Sequence, residues 1–220
     1  MNEEKPRPIR SFVRRKGRLS PAQQRAMTES WSHYGIDYGE NLVDFSAHFA
    51  RSAPLILEIG FGMGASLLTM AKEQPGVNFI GIDIHEPGIG TLLHAMVREQ
   101  VQNIRVIAHD AVEVLRDMIS DGSLDKIQIF FPDPWPKKRH HKRRLIQVPF
   151  VECLVKKLKP NGILHLATDW EDYAVHMQAV LEQISCLVQD EQQDCRPVTK
   201  YERRGQALGH GIWDFYYRRL

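Results

Sequence analysis

Leu55-Ile56-Leu57-Glu58-Ile59-Gly60-Phe61-Gly62-Met63-Gly64 is the stretch that decides the architecture. Residues 55–59 read as a short apolar strand, and three glycines at alternate positions follow. Residues 64–72 then read as a helix. A strand that ends in a glycine-rich turn and feeds a helix opens a βαβ unit. Glycine permits positive φ and lets a ligand approach the backbone closely. Free N–H groups at the start of the following helix can receive a carboxylate or a phosphate. The turn fits the dinucleotide fingerprint only loosely, with Ala65 in its last place, and a plain structural turn would look the same.

The pattern continues on both sides. Strands are predicted at 78–82, 104–108, 126–131 and 163–167, and helices at 87–100, 111–119, 148–158 and 171–184. Pro160-Asn161-Gly162 is expected to end the helix at 148–158. A strand near Leu187 and another at 212–217 close the chain. Upstream, Ser20-Pro21 reads as an N-cap and a first-turn proline, opening a helix to about Tyr34. Apolar strands alternating with helices imply an α/β domain with a mostly parallel sheet covered on both faces. The expected organisation is a flexible basic arm at 1–19 and one domain at 20–220.

A hydrophobic content of 43% and a charged content of 25% are ordinary for a globular chain of 220 residues. The net charge of +2 conceals a segregation. Residues 3–18 carry +5 and residues 137–144 carry +6, which leaves the remainder at −9. Positive charge confined to two patches steers a polyanion to one face. Cys153, Cys186 and Cys195 are odd in number, far apart and not at metal-ligand spacing, so reduced thiols and no metal are expected. The basic N-terminus has no apolar signal core, and no apolar run approaches ~18 residues. A cytoplasmic protein with no membrane partner is the expectation.

In open α/β sheets the ligand sits beyond the carboxyl ends of the strands. The turns expected there hold Gly60 to Gly64, Asp83, His109-Asp110, Asp133 and Thr168-Asp169. Glu58 can accept from an ammonium group. Asp83 ends the second strand, roughly 20 residues past the turn, where an acid binds ribose hydroxyls. An NAD-type cofactor and S-adenosylmethionine would each satisfy both. Asp110 can accept from an adenine amino group, cap the next helix, or do both.

Phe130-Phe131-Pro132-Asp133-Pro134-Trp135-Pro136 delivers one carboxylate into a proline-stiffened turn beside an aromatic ring. That carboxylate can accept two N–H donors from a base edge, as from guanine; a turn aspartate is the plainer alternative. Trp135 either stacks on a base or fills the core. Lys137-Lys138-Arg139-His140-His141-Lys142-Arg143-Arg144 follows at once, and such a patch suits phosphates. Asp169 is either a base-edge acceptor or a cap for the helix that follows.

Three readings of these residues are open. An NAD-dependent oxidoreductase would share the glycine turn and Asp83, but leaves the Pro-Asp-Pro-Trp turn unexplained. A methyltransferase acting on an amino group of a base or on protein would use the Pro-Asp-Pro-Trp turn. A non-catalytic RNA-binding protein has no use for acids at 58, 83, 110 and 133.

The constellation resembles the bacterial tRNA (guanine-N7-)-methyltransferase family. The resemblance runs from about residue 55 to residue 213. It is carried by Leu-Glu-Ile-Gly-Phe-Gly-Met-Gly at 57–64, His-Asp-Ala-Val-Glu-Val-Leu at 109–115, Phe-Phe-Pro-Asp-Pro-Trp-Pro-Lys at 130–137, Ala-Thr-Asp-Trp at 167–170 and Thr-Lys-Tyr-Glu-Arg-Arg-Gly at 199–205. The Pro-Asp-Pro-Trp turn with its basic tail is specific; the glycine turn is not. The resemblance implies a Rossmann-like class I methyltransferase fold, a seven-stranded sheet with an antiparallel last strand. It implies transfer of a methyl group from S-adenosylmethionine to N7 of a variable-loop guanine, position 46 of tRNA.

Carried over by position, Glu58, Gly60, Gly62, Gly64, Asp83 and Asp110 would hold S-adenosylmethionine. Asp133 would join cofactor and guanine and serve catalysis. Lys137, Asp169, Thr199, Lys200, Tyr201 and Glu202 would contact the substrate. Arg139, His140, His141, Lys142, Arg143 and Arg144 would lie on the RNA. The family often has Glu where this chain has Asp83, and the shorter acid keeps the charge. A monomer or a homodimer is compatible with all of this.

Overall fold

The computed structural model describes residues 18–191, 196–198, 202 and 211–220. Most of the expected basic arm, Cys195, and Thr199, Lys200 and Tyr201 of the substrate motif lie outside them. Seven strands form one sheet: β1 Leu55–Ile59, β2 Asn78–Ile82, β3 Ile104–Ile107, β4 Leu124–Phe130, β5 Leu158–Thr168, β6 Leu187–Gln189 and β7 Trp213–Arg219. Their order across the sheet is β3-β2-β1-β4-β5-β7-β6. The first five pair in parallel, whereas β7 runs antiparallel between β5 and β6. Every residue of β1, β2 and β3 is buried, so these strands read as continuous apolar runs.

Helices cover both faces. On one face lie α1 (Pro21–Tyr34), α3 (Ala65–Glu73) and α4 (Glu86–Glu99). On the other lie α2 (Phe45–Phe49), α5 (Ala111–Asp117), α6 (Val148–Lys157) and α7 (Glu171–Leu181). The two apolar layers draw on alternate strand residues, such as Ile56 on one side and Leu57 and Ile59 on the other. Helix α1 opens at Ser20 with a capping box completed by Gln23. The amide of Gln23 also donates to the Pro87 carbonyl at 3.0 Å and to Thr91 Oγ1 at 2.9 Å, which docks α1 on α4.

Two local expectations change. Helix α6 ends at Lys157, and Pro160-Asn161-Gly162 lies inside β5 rather than ending a helix. Leu158 is fully buried and pairs with Leu124, so the chain enters the sheet before it reaches the turn residues. They become an irregularity instead: Asn161 takes φ 65° and the β4–β5 register shifts between Leu124 and Lys126. The basic segment is not a plain loop but a 3₁₀ turn at Lys138–Arg143. Helix α2 has no expected counterpart. Asp44 caps it, and Phe45 and Phe49 are its buried residues. No described helix is long and apolar enough to cross a membrane.

Candidate active site

Gly60, Gly62 and Gly64 adopt φ values of 76°, 58° and 76°. A side chain there would be strained, which is why the turn is built from glycine. Gly60 N–H donates to the Ile82 carbonyl at 2.8 Å, and Gly62 N–H to Asp83 Oδ2 at 2.8 Å. Asp83 Oδ1 accepts from the N–H groups of Ile84 (2.7 Å) and His85 (2.8 Å). The Asp83 carboxylate thus ties the end of β2 to the glycine turn. Burial pushes its pKa up, against the pull of those three amides. Helix α4 abuts the same turn. A Cβ on Gly88 would stand 1.9 Å from the Gly62 carbonyl oxygen, so that position admits only glycine. The signal for this contact was present in the sequence as His85-Glu86-Pro87-Gly88-Ile89-Gly90, but nothing local identifies its partner.

A cleft of about 250 Å³ opens at this rim. Gly60, Asp83, Asp110 and Asp133 line it together with His109 and Phe131. Three other residues expected at the cofactor do not line it: Glu58, Gly62 and Gly64. Glu58 is buried beneath the turn, where its carboxylate accepts from Gln128 Nε2 at 2.8 Å. Burial drives its pKa up to about 7, opposed by that hydrogen bond. Asp110 caps α5 through Val112 N–H at 3.0 Å, and still faces the cleft. His109, a lining residue with no assigned role, stacks on Tyr38 at 3.8 Å and bonds Glu113 through Nε2 at 2.6 Å.

The residues present suit an S-adenosylmethionine group. A backbone cradle of positive-φ glycines lies beside a helix start, where Ser66 Oγ is buried with no hydrogen-bond partner among the described residues. Three carboxylates converge on one cleft.

The Asp133 turn is built differently. Phe131 and Trp135 hold φ values of 51° and 46°, the left-handed region, without being glycine. Phe131 N–H donates to the Ala167 carbonyl at 2.8 Å, joining the tips of β4 and β5. Arg143 places its guanidinium 4.4 Å from the Trp135 ring centre, and His140 meets the ring edge at 5.8 Å. Trp135 is half-buried, and its neighbour on that ring is a cation. Asp133 is exposed and makes no hydrogen bond or ion pair among the described residues.

The basic segment divides. Lys137, Lys138, Arg139 and Lys142 are exposed, and His140, His141 and Arg143 are half-buried. Burial, then the surrounding cations, lower the pKa of His140. Arg144 departs from its expected place on the RNA: its side chain is 1% exposed. It donates to the Pro134 carbonyl at 3.0 Å and pairs with Asp172, and it lies 4.9 Å from the Tyr173 ring centre. It bolts the Asp133 turn to α7. The sequence hid this because a charge run carries no mark of which member turns inward.

Glu202, expected to contact the substrate, is likewise buried and pairs with Arg196. Arg196 also binds both oxygens of Asp214, at 2.8 and 3.0 Å. His165 adds a fourth member through Nε2 to Asp214 Oδ1 at 2.8 Å. Burial opposes ionisation of Asp214, but the hydrogen bonds from His165 and Arg196 hold it down to about 2. Burial lowers His165 to about 4, so it is neutral near pH 7. Asp169 is half-buried at the end of β5. Among the described residues no group of three or more His, Cys, Asp and Glu could hold a metal.

Comparison with known proteins accords with this geometry. The family model described as "Putative methyltransferase" matches residues 52–215. The tRNA (guanine-N(7)-)-methyltransferase of Serratia proteamaculans is 53% identical over 97% of this chain and 92% of its own length. That of Klebsiella pneumoniae is 51% identical over the same shares. Among solved structures, the 16S rRNA methyltransferase KamB superposes with a TM-score of 0.59 at 12% identity, covering 81% of this chain and 94% of its own. A SAM-dependent methyltransferase from Aquifex aeolicus gives 0.53 at 13% identity, over 90% and 98%. The structural matches speak for the fold alone; the sequence matches go further, and by them the chain belongs to the tRNA (guanine-N(7)-)-methyltransferase family.

Proposed function

We propose that Asp133 marks the meeting point of the two substrates: this methyltransferase carries the methyl group of S-adenosylmethionine to N7 of a guanine in tRNA, and the guanine is the variable-loop base at position 46. The observation that carries the reading is Asp133 itself. It is an exposed carboxylate on a strained, proline-flanked turn, it lines the same cleft as the glycine turn, and it has no structural partner among the described residues. A carboxylate held this way is available to substrate.

When bound, S-adenosylmethionine supplies an electrophilic methyl group. Gly60, Asp83 and Asp110, which line the cleft, would hold it. Glu58 lies buried beneath the turn, hydrogen-bonded to Gln128. N7 of guanine has a lone pair and no proton, so its attack needs no general base. The methylated base gains positive charge, and Asp133 stabilises that charge as it develops. Positioning of the two reactants supplies most of the acceleration. Lys137 and Asp169 would contact the base, and the exposed cations at 137–142 hold tRNA phosphates.

The test is nucleoside analysis of unmodified tRNA incubated with the protein and S-adenosylmethionine. 7-Methylguanosine at position 46 is the expected product. Methylation at another atom or base would overturn the assignment. The neighbouring reading, methylation of an exocyclic amine, would show itself in the same chromatogram.

A further inference from the structure

The geometry points to Arg196 as a positioning residue for the methyl transfer, the clamp that sets the Asp133 turn against Glu202 and Asp214. Arg196 was not singled out by any motif. Its side chain is only 7% exposed and lies against Phe130 and Phe131, two residues that line the cleft. Its guanidinium fork meets Asp214 of β7 through two hydrogen bonds and Glu202 through a third. Its plane also covers the rings of Phe130 and Phe131, at 5.4 and 5.1 Å from their centres.

Each contact leads somewhere. Phe131 is the residue in left-handed backbone that turns the chain toward Pro132 and Asp133. Glu202 ends the run expected to close over the substrate. Asp214 is fixed from behind by His165, which stacks on Tyr216 at 3.8 Å and meets Phe130 edge-on at 4.7 Å. The cation therefore ties the start of the Asp133 turn, at Phe131, and Glu202 to Asp214 of the sheet. A planar fork with three acceptor contacts and two aromatic faces fixes position in a way that an ammonium cannot.

This inference rests on the reading of Asp133 given above, and its test separates the two. Single-turnover methyl transfer would be measured at saturating tRNA and S-adenosylmethionine, with KM values and melting temperatures alongside. Arg196→Lys should slow transfer about 10- to 100-fold, the cost of slight misplacement, with KM for S-adenosylmethionine near the parent value. Arg196→Met should be slower still. In an Asp133→Asn background, Arg196→Lys should add little, because both act on one step.

Parent-like transfer in Arg196→Lys with only a lower melting temperature would make Arg196 merely structural and overturn the proposal. An undiminished extra loss in the Asp133→Asn background would overturn its route through Asp133. Parent-like transfer in Asp133→Asn alone would instead overturn the site reading. Should Arg196 variants fail to fold, Glu202→Gln loosens the same clamp from the other end, and transfer at the parent rate there counts against the proposal.

Discussion

The two turns that face the cleft solve one backbone problem in opposite ways. At 60–64 the chain needs left-handed φ three times and uses glycine each time. At 131–135 it needs left-handed φ twice and uses Phe131 and Trp135. Glycine takes that conformation at little steric cost, whereas other residues lose roughly 1–2 kcal/mol. The second turn offsets the cost with side chains: Arg196 over Phe131, Arg143 over Trp135 and Arg144 on the Pro134 carbonyl. A cofactor cradle made of backbone needs space, so side chains are absent. A catalytic turn needs one carboxylate aimed and held, so strain is accepted and then clamped.

Asp133→Asn should have the largest effect. It keeps shape and removes charge, and the single-turnover rate should fall by about 10² to 10³, the range for losing one aimed electrostatic group. Stability should barely move, since Asp133 has no partner to lose among the described residues. A parent-like rate would reduce the second turn to a structural device and erase the contrast.

The difference between the turns also explains what could be read in the sequence. Strand and helix positions were legible because burial on both faces writes long apolar runs, as in Leu55–Ile59 and Asn78–Ile82. The acids at 83, 110 and 133 were legible because they end strands, and the fold sends strand ends to one rim. The inward roles of Arg144, Glu202 and Arg196 were not. They depend on tertiary partners — Asp172, the Phe130–Phe131 rings and Asp214 — that no local pattern marks. Glu58 was legible as an acid of the site, but not as one sealed beneath the turn. Helix α2 was missed because five residues hold too short a period to recognise.

Glu58 gives the next largest effect and sharpens the first half of the comparison. Its folded pKa of about 7 lies above the unfolded value of 4.5. Below pH 4.5 the carboxyl is protonated in both states and costs nothing. Between 4.5 and 7 the unfolded chain releases the proton first, so stability falls as pH rises. Above pH 7 the folded protein holds a buried charge, at a cost of about 3 kcal/mol. Glu58→Gln should therefore raise the stability of the cofactor-free protein at pH 8 by about that amount and leave it unchanged near pH 4.5. Chemical denaturation at the two pH values measures this. A gain equal at both pH values would mean that Glu58 is not a buried ionising group.

Within the basic segment, Arg144→Met should cost about 2 kcal/mol. The change loses a buried hydrogen bond to Pro134 and the packing on Tyr173, while Asp172, 62% exposed, returns to water. It should leave the salt dependence of tRNA affinity nearly intact. Arg139→Ala should do the reverse, with a stability change within about 0.5 kcal/mol and a salt slope shallower by roughly one. Equal slopes for both variants would restore Arg144 to the RNA surface.

The smallest effect tests the backbone argument itself. Replacing Phe131 removes the ring that Arg196 covers, so both Phe131→Ala and Phe131→Gly should lose stability. Their order is the informative quantity. In ordinary strand or helix backbone, Ala is the more stable of the two by about 0.5–1 kcal/mol, because Gly gives up more freedom on folding. At φ 51° the methyl group of Ala meets the steric penalty that Gly escapes. Phe131→Gly should then be the more stable variant, by about 1 kcal/mol. Equilibrium unfolding of the two proteins in one denaturant series is sufficient, since the missing ring is common to both and cancels. If Ala ranks above Gly, the left-handed turn at 131 carries no strain, and the clamps around Asp133 exist to aim the carboxylate alone.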